Sequence, residues 1–300
     1  MKRFPETYRD ELTGISKMTD IDIGSLFVMN VMYELFGACT SIVARGENGT
    51  MWHGRNLDFG LFMGTNASTH NWELTQNLRD LLVDVEFMRG GKTSYRSVTY
   101  AGFVGLLTGS KKGGFSISVD TRFDSSLDRG IIGWLLGRNN DAHFLTFQTR
   151  DVMENNETYA GALESLVSYK AMGPAYIIIG GIGGDEGAVI AKQFSKDGTN
   201  SNVDVWYLNE SLANGSYYLL QTNYDRKTAP PDFDDRRYPG MNCMDGLSSE
   251  SFGAKHLWGV MSSNPTRNAM TTFTSLMSPT LGHFESYIQY CTPGPDCAPF

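Results

Sequence analysis

Short runs of β-forming residues closed by glycine turns recur along this chain, and runs of that kind build antiparallel hairpins. Thr40–Ala44 and Thr50–Gly54 flank Gly46-Glu47-Asn48-Gly49. Leu82-Val83-Asp84-Val85-Glu86-Phe87 alternates apolar and acidic side chains, and Gly90-Gly91 turns it into Thr93–Ala101. Phe115–Val119, Ala175–Ile179, Gly187–Phe194, Val203–Leu208 and Tyr217–Thr222 read as further strands, with a terminal pair at Thr271–Met277 and His283–Tyr290. Helical patterns interrupt them at Leu127–Leu136, from Asp151 to Tyr169, and at Ser249–Ser262. That order fits an α+β domain in which helices cover two stacked antiparallel sheets. With 300 residues and 41% apolar composition, the chain is long enough for one such core. No repeat or Pro/Ser linker marks a second domain, and Lys227–Pro231 and Tyr238–Ser249 read as surface loops.

Residues 6–20 form a polar, partly helical lead-in. Ser25 can then cap a helix over Leu26–Phe36, stopped by Gly37, whose apolar surface is interrupted only by Asn30 and Glu34 on one face. At roughly a dozen residues it is too short to span a bilayer, so it is either a buried helix or a lipid-contacting one.

Lysine and arginine number 25 against 33 acidic residues, a net charge of −8. No basic run offers a face to phosphates, which excludes a nucleic-acid partner. Of the four cysteines, Cys291 and Cys297 bracket Thr-Pro-Gly-Pro-Asp, a stiff turn suited to a short disulfide. A metal pair is the rival, but no further ligand stands at zinc-like spacing, and no metal or organic cofactor is expected. Glycosylation sequons at Asn48, Asn66, Asn156, Asn209 and Asn214 tilt the reading toward a secreted or lysosomal protein. Met1–Glu6 has no apolar stretch of the signal-peptide kind, so that reading calls for an upstream segment.

Gly180–Gly187 lacks the G-x-G-x-x-G spacing and lies between strands, so it reads as a turn and not a nucleotide loop. No Walker loop, G-x-S-x-G elbow or HExxH helix is present. Cys39 remains, where the helix gives way to a strand. A lone cysteine is usually a small buried hydrophobe. Here Arg55 and Asp58 follow 16 and 19 residues later, beyond a hairpin that folds them back toward it. A cation favours the thiolate, and a carboxylate can orient an ammonium. If the Ala38–Cys39 bond is cut, Cys39 also gains an amine that can serve as its own base. Gln221–Asp225 ends another strand with a polar cluster, in which Asn223 forms an Asx turn or donates to an oxyanion. Asp234-Asp235-Arg236-Arg237 is a solvated loop or a buried arginine braced by carboxylates.

The runs Glu34–Phe36, Cys39–Ala44 and His53–Gly60 together resemble the acid ceramidase family, whose relatives include N-acylethanolamine acid amidases and, more distantly, cholylglycine hydrolases. Tyr100–Gly109, Thr222–Arg226 and Asp234–Arg237 match later family blocks in order and spacing. The resemblance implies the four-layer αββα sandwich of N-terminal-nucleophile hydrolases. It implies self-cleavage at Ala38–Cys39, which cuts residues 1–38, a shortened light-chain segment, from the amidase domain 39–300. Cys39 is then the nucleophile, Arg55 stabilises its thiolate, Asp58 positions its amine, Asn223 holds the oxyanion and Arg236 braces the site. The implied substrate is ceramide, split to a fatty acid and a sphingoid base, with Trp72 and Phe103 lining a channel. The implied partners are a lipid surface, a lipid-presenting activator protein and the chain's own light chain. Thr121 stands where relatives often carry a glutamate, and a cysteine of a longer light chain is the expected partner of Cys243. The alternatives are another lipid amide such as an N-acylethanolamine, or an uncleaved lipid-binding glycoprotein.

Overall fold

The computed structural model describes residues 4–60, 65–66, 71–123, 134, 143–193 and 203–290. Helices α1 (Glu6–Thr19) and α2 (Ile23–Phe36) lead directly into β1 (Gly37–Arg45), which pairs with β2 (Met51–Phe59). Two short strands follow, β3 (Thr65–Asn66) and β4 (Asn71–Trp72), then the hairpin of β5 (Leu82–Arg89) and β6 (Lys92–Tyr100). Gly90 and Gly91 both take positive φ, 59° and 77°, as a two-residue turn between right-twisted strands requires. Next come β7 (Thr108–Ser110), β8 (Ser116–Thr121), β9 (Ala175–Gly180), β10 (Gly187–Lys192), β11 (Asp204–Tyr207) and β12 (Tyr218–Gln221). Strands β13 (Thr271–Ser278) and β14 (His283–Ile288) close the described chain.

The strands form two main antiparallel sheets. One has the order β12-β1-β2-β13-β14, the other β11-β10-β9-β8-β7-β6-β5. Side-chain alternation assigns the layers. Ile42 and Ala44 of β1 pack with Met244, Leu257, Val260 and Met261 of the helices at Arg237–Asp245 and Ala254–Met261. Ile117, Val119, Ile177 and Ile179 pack with Val152, Met153 and Leu166 from the helices at Leu145–Asn155 and Tyr159–Ser168. Val43, Ile178, Val189 and Leu219 meet between the sheets. This is an αββα sandwich, the layering expected from the sequence.

Several local expectations change. Asp22 caps α2, accepting the Ser25 amide at 2.9 Å, so the helix starts earlier than Ser25 would set it. The single helix expected from Asp151 to Tyr169 is two, broken at Asn156, with Thr158 capping the second. Arg237–Asp245, expected within a loop, is helical: Met244 packs into the core and Arg237 is buried. The glycine turn after β9 is closed by its own residues, Glu186 accepting the amides of Ile182 and Gly183 at 2.9 and 2.8 Å. The expected helix at 127–136, apart from residue 134, lies outside the described residues, as do Cys291 and Cys297.

Candidate active site

Pairing of β1 with β2 sets Ala38 opposite Asp58, Cys39 opposite Leu57 and Ser41 opposite Arg55. Successive side chains point to opposite faces. Cys39, Ser41, His53 and Arg55 therefore face the second sheet, while Thr40, Asn56 and Asp58 face the helical layer. Arg55 and Asp58 lie three residues apart and approach Cys39 from opposite sides. The Ala38–Cys39 bond itself lies inside a buried strand.

On the inner face, Arg55 Nη2 lies 3.4 Å from Cys39 Sγ and donates to Val119 O at 2.6 Å. The guanidinium also stands over the Phe273 ring. A buried cation at that distance favours thiolate over thiol.

The Cys39 main chain is held by two other groups. Its N–H donates to Asn223 Oδ1 at 2.9 Å, and Arg236 Nη2 donates to the same atom at 2.6 Å. Two donors converging there assign it as oxygen, and Asn223 Nδ2 accordingly donates to Thr121 O at 2.7 Å. Arg236 Nη1 donates to Cys39 O at 2.6 Å and to Asp58 Oδ2 and Thr40 Oγ1 at 3.2 Å. The rest of the fork binds Asp234 through Nε at 2.7 Å and Nη2 at 3.0 Å. Asp234, Arg236 and Arg237 are all buried, so the solvated-loop alternative for this run does not hold.

Asp58 is enclosed by donors: Thr271 Oγ1 at 2.6 Å and Asn268 Nδ2 at 3.1 Å join Arg236. A register shift in β13 between Thr271 and Phe273 supplies the Thr271 contact, the local re-aiming that a bulge provides. Burial pushes the Asp58 carboxyl above the ordinary range, against the pull of Arg236, Thr271 and Asn268. Burial also opposes the charge on Arg236, but Asp234 and then Asp58 outweigh it and keep the guanidinium charged.

An apolar cavity of about 200 Å³ lies beside this cluster, lined among others by Met29, Phe59, Leu78, Tyr100 and Phe103. Phe59, Tyr100 and Phe103 share one packed cluster with Cys39, which links the cavity to the thiol. Phe103, expected to line a channel, is one of the residues lining this cavity. Trp72 is half-buried and does not line the cavity, because the chain turns at that point into the helix Glu73–Arg79. Thr271 and Asn268 carry no local motif and are not legible as site residues, whereas Asp234 is one of the carboxylates beside Arg236 that the charged run offered as its brace.

Among the described residues no group of three His, Cys, Asp or Glu is arranged to hold a metal ion. Asn48, Asn209 and Asn214 are exposed, while Asn66 and Asn156 are half-buried and use their side-chain amides in hydrogen bonds. Cys243 is exposed and carries no disulfide among the described residues. No helix of the described residues is long and apolar enough to cross a membrane.

No family model matches the chain. Acid ceramidase of Pan troglodytes is 40% identical over 291 residues, covering 96% of this chain and 71% of the relative. The Homo sapiens enzyme of that name is 39% identical over the same shares. The solved structure of a Caenorhabditis elegans N-acylethanolamine-hydrolyzing acid amidase ortholog superposes with a TM-score of 0.69 at 29% identity, over 84% of this chain and 100% of that one.

Proposed function

The chain belongs to the acid ceramidase family, and on that footing we propose that it hydrolyses ceramide after cutting its own Ala38–Cys39 bond. It is a lipid amidase of the N-terminal-nucleophile type. The observation that carries the finer reading is the convergence on Cys39 of Arg55 at the sulfur, Asn223 at the nitrogen and Arg236 at the oxygen.

In maturation, Cys39 Sγ attacks the Ala38 carbonyl carbon and the peptide nitrogen takes up a proton as the C–N bond breaks. Water then hydrolyses the thioester, which leaves an Ala38 carboxylate and a Cys39 α-amine. In turnover that amine accepts the thiol proton and passes it to the departing sphingoid amine. The acyl group stays on sulfur until water releases it as a fatty acid. Arg55 favours the thiolate throughout. Asn223 Nδ2 keeps a second hydrogen beyond the one given to Thr121, and this serves the tetrahedral oxyanion. Arg236 fixes the Cys39 carbonyl, Asn223 and Asp58 in one frame. Asp58 orients the amine through that frame from the far side of the strand. The cavity at Tyr100 and Phe103 takes part of an acyl chain. A lipid surface or lipid-presenting protein delivers the substrate, in a lysosomal or secreted setting.

N-terminal sequencing and intact mass after incubation at acid pH test this, with Cys39→Ala alongside. The parent yields a fragment beginning at Cys39 and the variant does not. An uncleaved chain that still hydrolyses amide overturns the mechanism. The likeness to the acylethanolamine amidase structure supports a second substrate, so both lipids belong in the assay. Faster turnover of acylethanolamide reverses the order.

A further inference from the structure

A polar seam runs between the sheets that the amide chemistry above does not use. Asp120 of β8 is fully buried, its Oδ1 accepts from Ser41 Oγ at 2.8 Å, and its Oδ2 meets no hydrogen-bond donor among the described residues. Ser41 Oγ also lies 2.8 Å from Ser118 Oγ, which lies 2.9 Å from His53 Nε2. His53 Nδ1 is 2.9 Å from Ser116 Oγ, and that hydroxyl donates to Gly180 O at 3.3 Å. A carboxyl, an imidazole and three hydroxyls thus occupy an interface packed elsewhere by Val43, Ile178 and Val189.

The seam meets the candidate nucleophile at one residue. Arg55 is the cross-strand partner of Ser41, which bonds Asp120, and its Nη2 spans Cys39 Sγ and the carbonyl of Val119, next to Asp120. We infer that Asp120 is a positioning residue that acts on Cys39 through Arg55, setting by its own charge how much of the guanidinium's field reaches the sulfur. This rests on Cys39 being the nucleophile.

Burial pushes the Asp120 carboxyl up to about 7, against Arg55, Ser41 and Arg236 and with a small push from Asp58. The other group of the seam with a shifted titration, His53, is driven down to about 3 by burial and by Arg55. From β9, Tyr176 is the register partner of Asp120, and its hydroxyl is committed to Asp225. Around neutral pH the carboxyl is therefore the seam group that changes charge. While Asp120 is protonated, the full charge of Arg55 bears on the thiol. As it ionises it offsets that charge, and the thiolate loses support.

Asp120→Asn keeps an acceptor for Ser41 and stays neutral at every pH. Parent and variant are compared in lipid-amide turnover from about pH 4 to 9 and by pH-difference infrared spectroscopy. The carbonyl band of a protonated carboxyl disappears near neutral pH in the parent and is missing from the variant. Turnover agrees on the acid side, and on the alkaline side the variant is faster by about tenfold, one pH unit of displacement. Coincident profiles, a uniform loss at all pH, or a parent without that band each overturn the role of Asp120. A parent without turnover overturns the amidase reading and the inference with it, and the infrared band separates that failure from a failure confined to Asp120.

Discussion

The amide nitrogen of Cys39 donates to Asn223 Oδ1 at 2.9 Å, a contact between residues 184 positions apart. In the proposed mechanism that nitrogen belongs first to the peptide bond to be cut and then serves as the base of the mature site. One side chain thus holds the reacting nitrogen through both reactions, while Arg236 fixes the amide by donating to the same oxygen at 2.6 Å.

Asn223→Leu removes this hold at similar volume. It leaves the Cys39 nitrogen without its acceptor and Thr121 O without its donor. Cleavage and turnover both fall by about 10²–10³-fold, the usual cost of an oxyanion or positioning donor. Fragment mass against time gives the first rate and product release the second. Parent-like rates in both would remove Asn223 from the mechanism.

Arg236→Met leaves Asp58 and Asp234 buried with no cation between them. Stripping the partner from a buried carboxylate costs about 3–5 kcal/mol, and two are affected here. Urea unfolding should show a lower midpoint with little change in slope. Arg236→Lys restores the charge without the five-donor fork and recovers only part of the loss.

Strand and turn chemistry made most of the fold legible, because alternation and paired glycines are local signals. Gly90-Gly91 fixed its hairpin from sequence alone. Helix Arg237–Asp245 was not legible: Pro239 and Gly240 read as loop residues, yet burial of Arg237 and Met244 overrides that propensity. At the site, Cys39, Arg55 and Asp58 could be grouped because a single hairpin joins them. Asp120 lies in a strand that pairs with β7 and β9 and meets β1 only across the sheet stack, so nothing in its sequence neighbourhood points to Ser41.

The leader helices hold to the body by burial and not only by the peptide bond. Phe4, Tyr8 and Leu12 pack with Phe144, Phe147 and Met172, and Glu11 pairs with Arg150 at 2.8 Å. Residues 1–38 therefore stay attached after cleavage and elute with the larger fragment in size-exclusion chromatography. Leu12→Ala, which costs about 2–5 kcal/mol in a closed core, releases them more readily. Separate elution in the parent would contradict this.

Leu78 lines the apolar cavity from the helix Glu73–Arg79. Leu78→Trp fills that space. The expected result is a higher KM for long-chain amides, with a short-chain chromogenic amide turned over as in the parent. Equal effects on both substrates would place the acyl chain elsewhere.

The polar seam also predicts a pH signature in stability. His53 falls from an ordinary 6.5 to about 3 on burial, so the unfolded chain binds the extra proton between those values and stability rises with pH there. Asp120 climbs from 3.8 to about 7, so the folded chain holds the extra proton and stability falls as pH rises through that window. Where the windows overlap the two slopes, each about 1.4 kcal/mol per pH unit, cancel. Asp120→Asn uncovers the rising slope up to the unfolded His53 value, and His53→Gln uncovers the falling one. Chemical denaturation of the three proteins at several pH values reads this directly. Parallel curves would mean that neither group titrates in the folded state as its burial requires.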